Sequence, residues 1–335
     1  MYQFNNNKGF GVEIEFIRPD FLTQQEVANK VDDALIEVGG GCNLESYNHI
    51  TRPEWKLVTD ASVKGQTGYR GDNELVSPIL RGYNGKKQLQ IVLDTLNSLG
   101  CDVNVSCGIH VHHDVTNTMV SSREKVTKFL NNLIKFVCKF EHLNYRIVTP
   151  SRLTGIYCNP ARAVFGKMRH SGMHNSGLKE ITKKIFRDLK EDVDYKYNNY
   201  GQGVSSGCIN FGGQSQRTRY CGLNLKNIWT RGSVEFRYMQ GSLNFDKIWS
   251  WVVLTQAIIN VTETTKSVAF KSVKNNLTGM FYFRKALGFI GNTNRCEDTK
   301  KANSVILKRY KKLTTPNCEV VRQNSRYYQL TRAGV

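Results

Sequence analysis

The sequence predicts an α+β fold, with a largely antiparallel sheet that carries helices on one face and leaves the other face free. Three observations predict it. Several segments repeat apolar residues every three or four positions, the period of an amphipathic helix. Others alternate apolar and polar residues with period two, as half-buried strands do. The two kinds are interleaved without the strict β-α-β order that a parallel sheet requires.

In chain order, residues 9–17 read as the first strand. Residues 24–38 follow as a helix, with Val27, Val31, Leu35 and Val38 on one stripe. Residues 55–59 and 73–77 are strands, and 86–99 is a helix through Leu89, Val92, Leu93, Leu96 and Leu99, which Gly100 stops. Residues 102–113 are a strand. The longest helix runs from Ser122 to Leu143, with Val126, Phe129, Leu130, Leu133, Phe136, Val137 and Phe140 inward. Residues 160–206 are polar, basic and rich in Gly, Asn, Ser and Tyr. They read as an insertion or mobile cover, with a short helix at 178–191. Strands are expected at 207–211, 218–225 and 232–238, and a further helix begins near Asp246. The expected organisation is one catalytic domain, 1–270, followed by a basic extension, 271–335.

Composition limits the function classes. With 335 residues, 40% hydrophobic and 22% charged, the chain can bury a sizeable core and has no disordered bias. No stretch approaches the ~20 apolar residues of a membrane span, and the N-terminus has no apolar leader. A cytoplasmic protein that does not engage membranes is expected. Nine Cys without paired spacing point to free thiols rather than a disulfide framework or a zinc finger. The net charge of +19 favours polyanions. Its densest runs are Lys300-Lys301 and Lys308-Arg309-Tyr310-Lys311-Lys312, a solvated helix face or tail, or a docking site for an acidic partner or nucleic acid.

Three strands share a pattern that carries chemistry. Val12, Ile14 and Phe16 point one way while Glu13 and Glu15 point the other. Val103, Val105, Ile109 and Val111 oppose His110 and His112. Val234 and Phe236 oppose Glu235 and Arg237. Alternation sets residues two apart side by side. If these strands share a sheet, several carboxylates crowd one face and repel one another unless a cation sits among them. Carboxylate oxygens suit Mg²⁺ or Mn²⁺, and an imidazole adds a nitrogen ligand or a phosphate contact.

At these residues the chain resembles the putative amidoligase family, relatives of glutamine synthetase and glutamate–cysteine ligase. The ordered series is GxExE at Gly11, Glu13 and Glu15, and DxS at Asp60 and Ser62. ELVSP follows at Glu74 to Pro78, then CGxHVH at Cys107 to His112, with Ile109 at the open position. An RYxxLN element at Arg219, Tyr220, Leu223 and Asn224 comes next, then EFR at Glu235 to Arg237 with Gly241 and Trp251.

The resemblance implies a curved antiparallel sheet of the glutamine-synthetase-like type, helices on its convex face, and ATP and metals in the concave face. Glu15 and Glu74 would hold one Mg²⁺, and Glu13, His110 and Glu235 the other. His112 would meet phosphate or nucleotide, and Arg219 and Arg237 would bind phosphates. The activity implied is ATP-dependent joining of a carboxylate to an amine through an acyl phosphate, with Asp60 or Glu74 taking the amine's proton. The substrates would be a small-molecule or peptide carboxylate and an amine, and the charge permits a polyanionic acceptor such as modified nucleic acid. Ala61 stands where the family often has Gly, and His113 adds a third imidazole on the opposite face. Arg152, with Tyr157 and Cys158, is a weaker family element, either a substrate contact or a structural one. Two other readings stay open: a metal-dependent hydrolase using the His-x-His pair, and a basic nucleic-acid-binding protein on a ligase fold.

Overall fold

A computed structural model describes residues 2–154, 157–161, 220–269, 273, 276–291 and 295–314. The expected cover at 160–206, with its short helix, and the strand at 207–211 therefore lie outside the described residues, save for Pro160 and Ala161. The chain packs as two compact units. One, here the sheet unit, comprises Asn5–His112 and Met239–Val253. The other, the helical unit, comprises Met1–Phe4, His113–Tyr238 and Leu254–Val335.

The sheet unit orders its strands β2-β3-β4-β1-β5. These are β1 (Phe10–Pro19), β2 (Cys42–Leu44), β3 (Trp55–Val58), β4 (Tyr69–Val76) and β5 (Gly108–Asp114), the last entering the helical unit at His113. β4 pairs antiparallel with both β1 and β3, and β2 adds a parallel edge to β3. Register explains the two faces. Ile14, Leu75 and Leu57 stand opposite one another across three strands, all fully buried. One residue along, Glu15 faces Glu74, which faces Val58. A one-residue slip would exchange these rows, so the apolar row fixes where the acids point.

Helix α1 (Gln24–Leu35) starts at a capping box. Thr23 Oγ1 accepts from Glu26 N, while Glu26 Oε2 accepts from Thr23 N. Its buried Val27, Val31 and Leu35 pack against β2, β3 and α2 (Gly82–Ser98). Trp55 Nε1 donates to Gln88 Oε1 and ties β3 to α2.

The helical unit contains α3 (Arg123–Asn144), capped by Ser122 Oγ, and the antiparallel pair β6 (Leu223–Asn224) and β7 (Ser233–Gln240, to Tyr238 in this unit). Helix α4 (Phe245–Thr264) begins in the sheet unit and ends here. It is apolar nearly all round and buried from Ile248 to Ile259, as such a helix must be. Helices α5 (Leu277–Ala286) and α6 (Glu297–Leu313) also belong to this unit. Phe283 of α5 packs beside Phe140 of α3, and Arg309 of α6 donates to the Ile147 carbonyl. Tyr2 joins the core by its hydroxyl on Gln256 Oε1.

Two expectations change. The strand expected at 102–113 begins only at Gly108. Val105 is 82% exposed, and Asn104 Oδ1 accepts from Ser106 N and Ser106 Oγ, closing a turn. Only Asp102 pairs, bridging Ile17. The polar face is not free either: Glu15, Glu74 and His110 are 4%, 7% and 2% exposed. Among the described residues seven cysteines are free thiols, and no helix is long and apolar enough to cross a membrane.

Candidate active site

The sheet unit gathers six expected residues. β1 presents Glu13 and Glu15, β4 presents Glu74, and β5 presents His110 and His112. The loop after β3 presents Asp60, whose carboxylate accepts from Ser62 N at 2.7 Å and is thereby aimed.

Glu13 bridges both imidazoles. His110 Nδ1 lies 2.8 Å from Glu13 Oε2, and His112 Nε2 lies 3.0 Å from Glu13 Oε1. The other ring nitrogen of His110 is 3.4 Å from Glu15 Oε1, while Glu15 Oε2 accepts from Gly108 N at 2.5 Å. Burial alone would raise the Glu13 carboxyl. The charge of His112 and hydrogen bonds from both rings outweigh burial and hold it well below the usual carboxylate range.

Two ligand groups result, each with one donor atom per residue and all atoms within 4.8 Å: Glu15, Asp60 and Glu74; and Glu13, Glu74 and His110. Glu74 belongs to both. Two carboxylates at 4.8 Å repel by about 3 kcal/mol at an effective dielectric near 20. Like charges directly opposite on neighbouring strands, as Glu15 and Glu74 are, destabilise a sheet. A divalent cation reverses the sign of that balance. The donor chemistry fits the expected ions, since hard oxygens with one imidazole suit Mg²⁺ or Mn²⁺.

Local sequence explains the positioning. β1 and β4 slip register between Phe16 and Arg18. Buried Asn73 fills the gap, its amide donating to the carbonyls of Phe16, Arg70 and Gly71, and so fixes the strand next to Glu74. At Gly71 a Cβ would stand 2.4 Å from the Val63 carbonyl, so only glycine lets β4 pass the Asp60 loop. Ser77 Oγ accepts from Val12 N, pinning β1 beside the ELVSP element. Gly241 N donates to the Cys107 carbonyl, and a Cβ there would meet Cys107 Cβ at 2.5 Å. Asn73 and Gly71 were not among the expected residues. Their only signal is a Gly-Asp-Asn run just before an acidic strand.

The helical unit holds the other expected pair. Glu235 accepts from Asn224 Nδ2 on one oxygen and from Arg237 Nη1 on the other. Arg237 Nε also reaches the Tyr157 carbonyl at 3.4 Å, and Arg152 Nη2 donates to the Arg237 carbonyl at 2.7 Å. Arg152 therefore props β7. His113 points away from its neighbours on β5, with Nε2 2.7 Å from Thr255 Oγ1. Arg219 lies outside the described residues.

A family model described as "putative amidoligase enzyme" matches residues 6–259. The chain belongs to that amidoligase family. The match supports an amide-forming ligase. A search of curated proteins finds no match. The amidoligase elements each acquire a physical reason here: acids and imidazoles converge, Ser77 and Gly241 hold their strands, and Asn224 anchors Glu235.

Proposed function

We propose that this amidoligase is an ATP- and Mg²⁺-dependent carboxylate–amine ligase acting through an acyl phosphate. The observation that carries the reading is the pair of ion-sized ligand groups sharing Glu74. A carboxylate does not react with an amine at neutral pH because hydroxide leaves too poorly. ATP converts the substrate carboxylate to an acyl phosphate with release of ADP, and the amine then displaces phosphate. When bound, Mg²⁺ supplies neutralisation and orientation of the β- and γ-phosphates.

The chain's own residues do the rest. Glu15, Asp60 and Glu74 are proposed to hold one ion, and Glu13, Glu74 and His110 another. His112 stays on Glu13, keeps that carboxylate ionised and is proposed to contact phosphate. Within the helical unit, Glu235 and the Tyr157 carbonyl orient the planar guanidinium of Arg237, which is proposed to bind phosphate. Asp60 and Glu74, the two acids proposed to take the amine's proton, both belong to the first ligand group, and Glu74 alone is shared with the second. The hydrolase reading is weaker: among the described residues no ion-sized group contains both imidazoles, as a His-x-His zinc pair requires.

The test incubates purified protein with ATP, Mg²⁺ and pools of carboxylates and amines. ADP, phosphate and a new amide mass are expected together. Absence of ATP binding and turnover with every metal and pool overturns the reading.

A further inference from the structure

Charge is divided unevenly between the units. The helical unit has 36 Lys and Arg against 13 Asp and Glu, +23; the sheet unit has 11 against 15, −4; together they give the chain's +19. The cationic field thus belongs to the body that does not carry the acidic ligand groups. The described residues of the helical unit hold 20 Lys and Arg against 7 Asp and Glu, +13, a self-repulsion that a polyanion relieves.

Two of its helices lie beyond residue 259, where the family match ends. α6 buries Thr299, Ala302, Ile306 and Tyr310. At 3.6 residues per turn its exposed Lys300, Lys301, Lys308, Lys311 and Lys312 fall within a stripe about 120° wide and ~18 Å long. That is the rise of about five nucleotides of one strand. Lys300 touches Glu297 at 2.7 Å, an exposed pair that holds it only weakly. Arg284 Nε of α5 donates to Asn303 Oδ1 of α6 at 2.7 Å and keeps the helices adjacent. α5 buries Met280 and Phe283 and exposes Phe281 (47%) and Tyr282 (54%), their rings edge to face at 5.7 Å.

Cations along α6 together with exposed rings on the adjacent α5 fit one partner chemistry. A membrane-surface helix inserts its apolar face, but the apolar face of α6 is already in the core. A duplex hides its base faces from Phe281 and Tyr282. Single strands offer both phosphates and base faces. We propose that the helical unit binds single-stranded nucleic acid on α5 and α6, the lysine stripe taking phosphates and Phe281 and Tyr282 taking bases. This does not depend on the ligase reading.

The test is fluorescence anisotropy of the full chain with a labelled 20-nucleotide oligothymidine. Affinity is expected to fall about 100-fold between 50 and 200 mM salt if ~5 phosphates are neutralised. The triple variant Lys301→Glu, Lys308→Glu, Lys312→Glu should reduce the log–log salt slope by about 2, and the matching Lys→Gln triple should do the same. Phe281→Ala with Tyr282→Ala should weaken binding by about 30-fold or more at unchanged slope. Thermal melts of each variant should match the parent. No binding at 50 mM salt, equal binding by the variants, tighter binding to a duplex, or binding only to phosphatidylserine vesicles overturns the proposal.

Discussion

Buried acids occur in both units, and their company differs. Glu141, on α3 of the helical unit, is fully buried, and one of its oxygens accepts from Tyr238 Oη and from Ala161 N. Burial first pushes the Tyr145 and Tyr238 hydroxyls up; this negative charge comes next at Tyr238 and follows the Cys158 thiol at Tyr145. Glu15 and Glu74 in the sheet unit face another carboxylate across the ladder. The difference teaches that burial of an acid does not mark an ion site. An acid satisfied by hydroxyl and amide donors alone is part of the core, whereas acids that also face an acid, as Glu15 does beside its Gly108 amide, keep a repulsion that a cation would relieve.

Four outcomes would sharpen or break that comparison. The largest is on turnover: Glu74→Gln should lower ATP-dependent turnover by about 10³-fold, the several kcal/mol of charge stabilisation an ion supplies. Its urea midpoint without metal should stay level or rise, because a repulsion is removed. Glu141→Ala should do the reverse, leaving Tyr238 and Ala161 N without their acceptor and costing roughly 3 kcal/mol in urea melts with Mn²⁺ binding unchanged. Third, Asn73→Ala should cost about 1–3 kcal/mol of stability and weaken Mn²⁺ binding together, since one amide serves three carbonyls beside Glu74.

The smallest concerns pH without metal. The Glu13 carboxyl is depressed in the folded protein. Its contribution is present above the unfolded value of about 4.3 and is lost as pH falls through the lower folded value. Glu13→Gln should flatten that acid limb in pH-dependent melts. An unchanged limb would show that other acids set it.

Much of this comparison was legible in the sequence, by parity. Glu13 and Glu15 alternate with Val12, Ile14 and Phe16, so their shared face followed from strand period alone, as did the reversal of His113. Asp60 was reachable only through the family resemblance, because a loop acid has no periodic signal. Asn73 was invisible since it compensates a register slip that exists only once β1 and β4 pair. Val103 and Val105 imitated a strand because period two is also met by a turn with alternating residues. β2 has three residues, too few to alternate. Glu141 was hidden because a helical stripe of apolar residues does not announce the one acid it buries. The lysines of α6 did read as a solvated helix face, but the aromatic neighbours on α5 became apparent only in three dimensions.

The most direct measurement is Mn²⁺ binding by electron paramagnetic resonance to the parent chain, Glu15→Gln, Glu74→Gln and Glu141→Gln. The parent and Glu141→Gln should bind alike, while Glu15→Gln and Glu74→Gln lose affinity by at least about tenfold, the range seen when an ion's ligand environment is disturbed. Equal Mn²⁺ binding by all four proteins, or none by the parent, would contradict the claim that these facing acids form an ion site.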